Sequence, residues 1–110
     1  MPFDEELARR LREQLGGRTG VTERPMFGGR AFFVDGNLCV GVIRDQLVAR
    51  IGPERLSEAV RRPGTRLFDL TGQPMSGWVL VAPAGYPDDW ALARWVAEAL
   101  EYVGTLSPAG

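Results

Sequence analysis

The stretch RAFFVDGNLCVGVI, residues 30–43, decides the fold of this chain. It holds two runs rich in β-branched and aromatic residues, 30–34 and 38–43, separated by Asp35-Gly36-Asn37. An Asp-Gly pair tolerates the positive φ angles that a tight hairpin needs. We therefore expect the two runs to pair directly as antiparallel strands.

Similar runs flank this hairpin on both sides. Residues 21–27 precede it across a Gly28-Gly29 bend, and residues 47–51 follow it after Arg44-Asp45-Gln46. The four runs predict an antiparallel meander. Pro25 has no N–H to donate to a neighbouring strand, so we expect the first run to lie at the edge of the sheet or to be irregular.

Helices are predicted around the meander. Segment 4–15, which Asp4 can cap, carries apolar residues four apart, and the segment from Gly52-Pro53-Glu54 to Arg61-Arg62 resembles a short helix. A third helix starts after Asp88 and carries a long apolar stripe: Leu92, Trp95, Val96, Ala99, Leu100 and Val103. Between the second and third helices, residues 66–71 and 78–82 predict two more strands, joined by a turn at Gly72-Gln73-Pro74.

The predicted order is α-β-β-β-β-α-β-β-α, which is typical of an α+β fold. We expect an antiparallel sheet of about five to six strands with helices packed mainly on one face. The sequence shows no internal repeat and no linker, so residues 1–110 are expected to form one domain.

Both faces of the predicted sheet carry apolar side chains. We expect the second face to be covered by a helix, by curvature of the sheet, or by a second subunit in a homodimer. Strand alternation predicts the following division: Phe32 and Val34 opposite to Ala31 and Phe33, Cys39 and Ile43 opposite to Leu38, Val40 and Val42, and Val79 and Val81 opposite to Trp78 and Leu80.

Missing residue types exclude most catalytic chemistry. The chain has no His, and every basic residue is Arg. This excludes imidazole-based nucleophile systems, lysine Schiff bases and most catalytic zinc sites. The single Cys39 cannot form an intrachain disulfide, and we expect it to be an inert thiol. The sequence thus predicts a protein that is not an enzyme and has no cofactor and no metal.

Composition also indicates where the protein works. The formal net charge is -1, so global charge gives no reason to expect nucleic acid or an anionic membrane. No apolar signal segment follows Met1, so we expect a cytoplasmic protein. Basic residues that are all Arg, with abundant Ala, Gly and Pro, are typical of GC-rich codons and predict a bacterial source.

Several polar residues are candidates for a functional site. Glu23 is best interpreted as a solvated strand residue, and Asp35 and Asp45 as turn residues. Asp69, in a predicted strand, is expected to have an Arg partner or a backbone hydrogen bond, or to be exposed. Ser76 lacks the glycine two positions earlier that a nucleophile elbow requires. Gly28-Gly29 precedes a strand and not a helix, which disfavours a phosphate loop.

Charge is unevenly spread along the chain. Residues 1–66 hold twelve Arg and nine acidic residues, whereas residues 67–110 hold one Arg and five acidic residues. The middle helix and its flanks carry a candidate charged rim, which could contact phosphates or an acidic protein surface if its members converge: Arg50, Arg55, Arg61, Arg62 and Arg66.

Met26-Phe27-Gly28-Gly29, the run from Ala31 to Asn37, the run from Leu47 to Gly52, and Gly77-Trp78-Val79-Leu80-Val81 together resemble the N-terminal domain of the TfoX/Sxy family. The resemblance covers nearly the whole chain and implies an α+β domain with an antiparallel sheet. Full-length members of that family are regulators of natural competence that work with the cyclic AMP receptor protein at promoters. They carry a second, helical C-terminal domain, which we expect this chain to lack. The resemblance supplies no catalytic residues.

These observations favour a non-enzymatic interaction module, a transcription co-regulator that acts through a protein partner such as a transcription factor. The predicted partner surface lies around the Gly28-Gly29 bend: Met26, Phe27, Gly28, Gly29 and Arg30. Two alternatives stay open. One is direct nucleic-acid binding through the arginine rim, and the other is a small-molecule-binding domain with a pocket on the sheet.

Overall fold

The structure is a computed structural model that describes residues 3–69 and 76–109. These residues form three α-helices and one six-stranded antiparallel sheet in the order expected for the α+β fold. The elements are α1 (Glu5–Gln14), β1 (Val21–Met26), β2 (Gly29–Val34), β3 (Asn37–Ile43), β4 (Gln46–Arg50), α2 (Leu56–Ala59), β5 (Thr65–Leu67), β6 (Trp78–Val81) and α3 (Asp89–Val103).

Local sequence signals place most element boundaries. Asp4 caps α1 by accepting hydrogen bonds from the backbone N–H groups of Glu6 and Leu7 at 2.9 and 3.1 Å. Asp88 caps α3 through the N–H of Ala91 at 2.8 Å. Both predicted caps are confirmed.

The sheet has the strand order β1-β2-β3-β4-β6-β5. Asp35 and Gly36, with φ angles of 50° and 82°, form the two-residue turn between β2 and β3 that the sequence predicts. β1, which contains Pro25, lies at one edge of the sheet as expected, and β5 lies at the other.

Two predicted segments are shorter in the structure. β5 has only three residues. The last backbone hydrogen bond that follows it runs from the N–H of Phe68 to the carbonyl oxygen of Trp78, where β6 begins. The predicted turn at Gly72-Gln73-Pro74 lies outside the described residues. α2 follows a 3₁₀ turn at Pro53–Arg55 and ends at Ala59, before the predicted Arg61-Arg62. Pro63, which has no N–H, cannot donate to the carbonyl oxygen of Ala59 to extend the helix.

All three helices pack on the same face of the sheet, which confirms the predicted layering. On this face, which we call the helix side, apolar side chains of the helices meet apolar side chains of the strands to form the larger core. Its fully buried members include Leu7 and Leu11 of α1, Leu92 and Ala99 of α3, and Phe32, Val40, Val42, Leu47, Val79 and Val81 of the sheet.

The opposite face of the sheet, here called the outer face, carries a second apolar cluster. It contains no helical residue, yet its members are buried: Ala31, Phe33, Leu38, Val48, Phe68, Trp78 and Leu80. The guanidinium groups of Arg24 and Arg50 lie over Phe33 and Trp78, at 4.1 and 5.3 Å from the ring centroids.

A β-bulge at Cys39 corrects the alternation predicted for β3. Phe32 pairs with Val40 and Phe33 pairs with Leu38, which leaves Cys39 without an opposite residue. Cys39 therefore lies on the helix side together with Val40 and Val42, while Leu38 and Ile43 lie on the outer face. The alternation predicted for β2 and β6 is confirmed.

The sheet curls around its outer face. In a flat sheet, the β1–β2 turn and the edge strand β5 would be separated by roughly 20 Å. Instead, the ring of Phe27 in that turn contacts the ring of Phe68, which follows β5. The second face was expected to be covered by a helix, by curvature of the sheet or by a second subunit. In the described residues it is covered by curvature of the sheet.

None of the described helices combines the length and the apolar character needed to cross a bilayer.

Candidate functional site

The β1–β2 turn presents apolar side chains to solvent. Its two loop residues are Phe27 and Gly28, with φ angles of 57° and 77°, and the Phe27 side chain follows the exposed Met26. Phe27 is 44% exposed. A bulky residue in left-handed backbone costs about 1–2 kcal/mol relative to glycine. Phe27 therefore costs conformational free energy in this turn, and contacts of its side chain have to offset that cost.

Three aromatic rings in contact across the outer face supply these contacts. Phe27 meets Phe68 edge to face with ring centroids 5.8 Å apart, and Phe68 meets Trp78 at 5.6 Å. Such pairs contribute about 0.5–1.5 kcal/mol beyond the burial of their area. Phe68 is almost fully buried between them, so Phe27 is anchored on one side and open to solvent on the other.

Gly29 serves a different purpose from Gly28. It is the first residue of β2, and a Cβ atom there would lie 1.8 Å from the carbonyl oxygen of Val42 in β3. The predicted Gly28-Gly29 bend is therefore a turn at Phe27-Gly28, with Gly29 inside the sheet. Gly29 lets β3 approach and so fixes the position of the turn.

Arg30 does not join Phe27 on the outer face. Its Nε atom lies 2.9 Å from Oε2 of Glu23, which also receives Nη2 of Arg12 from α1 at 2.7 Å. Hydrogen bonds from Arg12 and then Arg30 hold the pKa of Glu23 below its usual value, against the opposite effect of burial. Through Glu23, Arg30 thus links the β1–β2 hairpin to α1 on the helix side of the sheet, whereas Phe27 contacts Phe68 on the outer face.

The five arginines of the predicted rim do not converge. Arg62, only 14% exposed, pairs with Glu58 and Glu98 and lies over the ring of Trp95. Arg55 pairs with Glu98 and Glu101. These contacts direct both side chains toward α3, where acidic residues neutralise them.

The remaining three rim residues have different surroundings, although Arg50 also lies 5.8 Å from the centre of the Tyr102 ring of α3. Arg50 covers Trp78 on the outer face, and Arg61 is exposed. Arg66 donates from Nη2 to Oε1 of Gln46 at 3.0 Å. The arrangement gives the nucleic-acid alternative little support, because a phosphate-binding surface needs several unpaired cations close together.

A groove of about 430 Å³ opens beside Phe27 at the end of the outer face. Phe27, Ile43 and Leu80 form its apolar walls, and Arg44, Gln46 and Arg66 form its polar walls. In the part of the chain that the structure describes, no carboxylate lines this groove and neither arginine is paired with one. The groove therefore combines an apolar floor with two available cations.

Three further residues, of which Arg44 lines the groove, are not predicted as site residues from the sequence. Phe68 was predicted only as a strand residue, and its contact with Phe27 joins positions far apart in the chain. Arg44 was treated as a turn residue. Trp90, 75% exposed in the first turn of α3, could have been found because it falls outside the apolar stripe of that helix.

The other candidate residues show no catalytic arrangement. Burial raises the pKa of Cys39 to about 12, so this thiol stays protonated at neutral pH. Asp35 and Asp45 lie in turns as expected. The strand position predicted for Asp69 is wrong, since β5 ends at Leu67 and Asp69 is exposed after it, and Ser76 is exposed in the turn before β6. Among residues 3–69 and 76–109, no group of His, Cys, Asp or Glu side chains could hold a metal ion.

A family model described as the TfoX N-terminal domain matches residues 13–103, which is most of the chain. Among curated proteins, none matches the sequence.

Proposed function

Because this chain belongs to the TfoX N-terminal domain family, we propose that it is a non-enzymatic regulatory module of the bacterial cytoplasm. In this proposal it acts through a protein partner, a transcription factor, in the control of natural competence or a related response. It uses no cofactor and no metal.

The observation that carries the proposal is the exposed Phe27 ring. It is held in left-handed backbone, anchored by Phe68 and placed next to Met26, which is also exposed. Aromatic side chains that are rigid and half exposed are typical centres of protein interfaces. An aromatic residue in left-handed backbone, where glycine would be less strained, supports a binding role for its side chain.

Glycine positions and Arg30 have supporting roles in this surface. Gly28 allows the turn and Gly29 allows the close approach of β3, so both set the direction of Phe27. Arg30 borders the surface from the other side of the hairpin. Its guanidinium is already held by Glu23, so Arg30→Ser is expected to weaken partner binding less than Phe27→Ser.

The test is affinity capture of the tagged protein from nuclease-treated lysate of its source organism, with quantitative mass spectrometry. Phe27→Ser is compared with Trp90→Ser, which removes an exposed aromatic ring from the helix side. We expect a transcription factor or a polymerase subunit with the wild-type protein and with Trp90→Ser, and its loss with Phe27→Ser. Equal capture by all three proteins, or capture of none, would overturn the proposal. Circular dichroism shows whether each variant is folded.

A further inference from the structure

The groove beside Phe27 has a definite chemical preference. Its apolar walls are Phe27, Ile43 and Leu80, and its two cations are Arg44 and Arg66. Pockets of about 300–1,000 Å³ accept a bulky organic group, and this groove has about 430 Å³. Since no carboxylate among the described residues lines it, the best occupant is a large apolar side chain with carboxylates beside it.

This chain itself carries such a segment. Among residues 3–69 and 76–109, Trp90 is the most exposed large apolar side chain, at 75%, and it directly follows Asp88 and Asp89 in the sequence. One exposed aromatic ring is ordinary for a protein surface. An exposed ring next to two carboxylates is the chemical complement of a groove with apolar walls and two arginines.

Both carboxylates remain open to a second cation. Asp88 uses Oδ1 to cap α3 at the N–H of Ala91. Asp89 is paired with Arg10 at 3.0 Å, but its side chain is 83% exposed. A carboxylate has two oxygens and can accept from more than one donor, so these contacts leave room for Arg44 or Arg66 of another molecule.

The groove and Trp90 lie at the same end of the molecule. Arg44 belongs to the β3–β4 turn, and the next residue, Asp45, accepts a hydrogen bond from the hydroxyl of Tyr86. Tyr86 precedes the cap of α3 by two residues. Because the donor and the acceptor surfaces share one end, two copies can exchange them reciprocally around a two-fold axis.

We propose that the groove binds a second copy of this chain, with Trp90 of one copy inserted between Phe27, Ile43 and Leu80 of the other. Asp89, and with it Asp88, then faces Arg44 and Arg66. Both contacts form twice in the dimer. The groove shares Phe27 and Gly28 with the proposed partner surface, but the dimer rests on a separate observation, because Trp90 lies outside that surface.

Sedimentation equilibrium over a wide concentration range tests the proposal. The wild-type protein is expected to form a dimer, and Trp90→Ser to raise the dissociation constant about tenfold or more. Trp78 and Trp95 are buried, so dimer formation should also move tryptophan emission to shorter wavelength through Trp90. Added salt should weaken the dimer by screening its ion pairs.

Charge reversal identifies the groove. Arg66→Glu and Asp89→Arg should each weaken the dimer, and the double variant should recover most of the loss because the ion pair is restored with its signs exchanged. Arg61→Glu is the matched control, since Arg61 is exposed outside the groove and carries the same charge change. All three substitutions are at exposed positions, and thermal unfolding shows whether the variants remain folded.

Three results would overturn the proposal: a monomer at every concentration, a dimer that is unaffected by Trp90→Ser, or two single charge variants that the double variant does not rescue. Capture of a partner by the Trp90→Ser protein, lost with Phe27→Ser, would support the proposed function alone. The two proposals can therefore fail separately.

Discussion

Phe27 and Phe68, which come from opposite ends of the six-stranded sheet, contact each other edge to face with their ring centroids 5.8 Å apart. The contact links the β1–β2 turn to the residue after the far edge strand. It explains how a sheet with helices on one side only can bury the apolar residues of its other side.

Coupling between these two rings is the first prediction. Phe68→Ala should lower the free energy of unfolding by about 3–5 kcal/mol, because the ring is nearly fully buried. Phe27→Ala should cost about 1 kcal/mol, because the ring is half exposed. In urea unfolding, the double variant should lose about 0.5–1.5 kcal/mol less than the sum of the single losses. Strictly additive losses would show that the ring contact does not hold the two ends together.

Gly29→Ala is expected to be severely destabilising. The added methyl group would lie 1.8 Å from the Val42 carbonyl oxygen, so β2 and β3 must separate, at a cost of about 3 kcal/mol or more. Gly17→Ala is the control, since Gly17 has a φ angle of 82° and no atom near its Cβ position, and should cost only about 1–2 kcal/mol. Thermal unfolding of both variants gives the comparison, and similar losses would contradict the steric explanation.

The neighbouring Arg61 and Arg62 should respond differently to truncation. Arg62→Ala leaves Glu98, which is 13% exposed, with only the longer contacts to Arg55 and Arg94, and should lower the free energy of unfolding by about 2–3 kcal/mol. Arg61→Ala should change it by less than about 0.5 kcal/mol. Urea unfolding of the two variants at neutral pH is the measurement. Equal effects would mean that the ion pairs beside α3 do not form in solution.

Acid should weaken the fold partly through Glu23. Its pKa is lowered in the folded protein, so the carboxylate stabilises the fold at and above the unfolded pKa of about 4.3, and that contribution is lost as the pH falls through the lowered value. Glu23→Gln should therefore be less stable than the wild type at pH 7 and lose less stability below about pH 5. Urea unfolding from pH 7 to 3, with the exposed Glu54→Gln as control, measures the difference. A wild-type pH profile in Glu23→Gln would exclude this role.

Local signals were sufficient for most of the fold. The spacing of Leu7 and Leu11, the caps at Asp4 and Asp88, and the Asp35-Gly36 turn are properties of neighbouring residues, and the structure confirms each of them. The edge position of β1 followed from the missing N–H of Pro25 in the same way.

Contacts between distant residues could not be derived from the sequence. The bulge at Cys39 depends on how β3 pairs with β2, and it reverses the faces expected for Val40 and Val42. The candidate site also depends on a contact between distant residues. Phe27 was predicted as part of the partner surface, whereas its contact with Phe68 was not predicted. The sequence located the arginines of the charged rim but not their partners. Arg62 and Arg55 pair with glutamates of α3 that are more than thirty residues away in the chain.

The two edge strands determine whether a strand of another chain can pair with the backbone of this sheet. A strand edge with a continuous row of free N–H and C=O groups invites another strand to add to it and can start aggregation. Here one edge strand contains Pro25 and the other has only three residues. Neither edge therefore offers a long, uninterrupted row of backbone groups to which another strand could add.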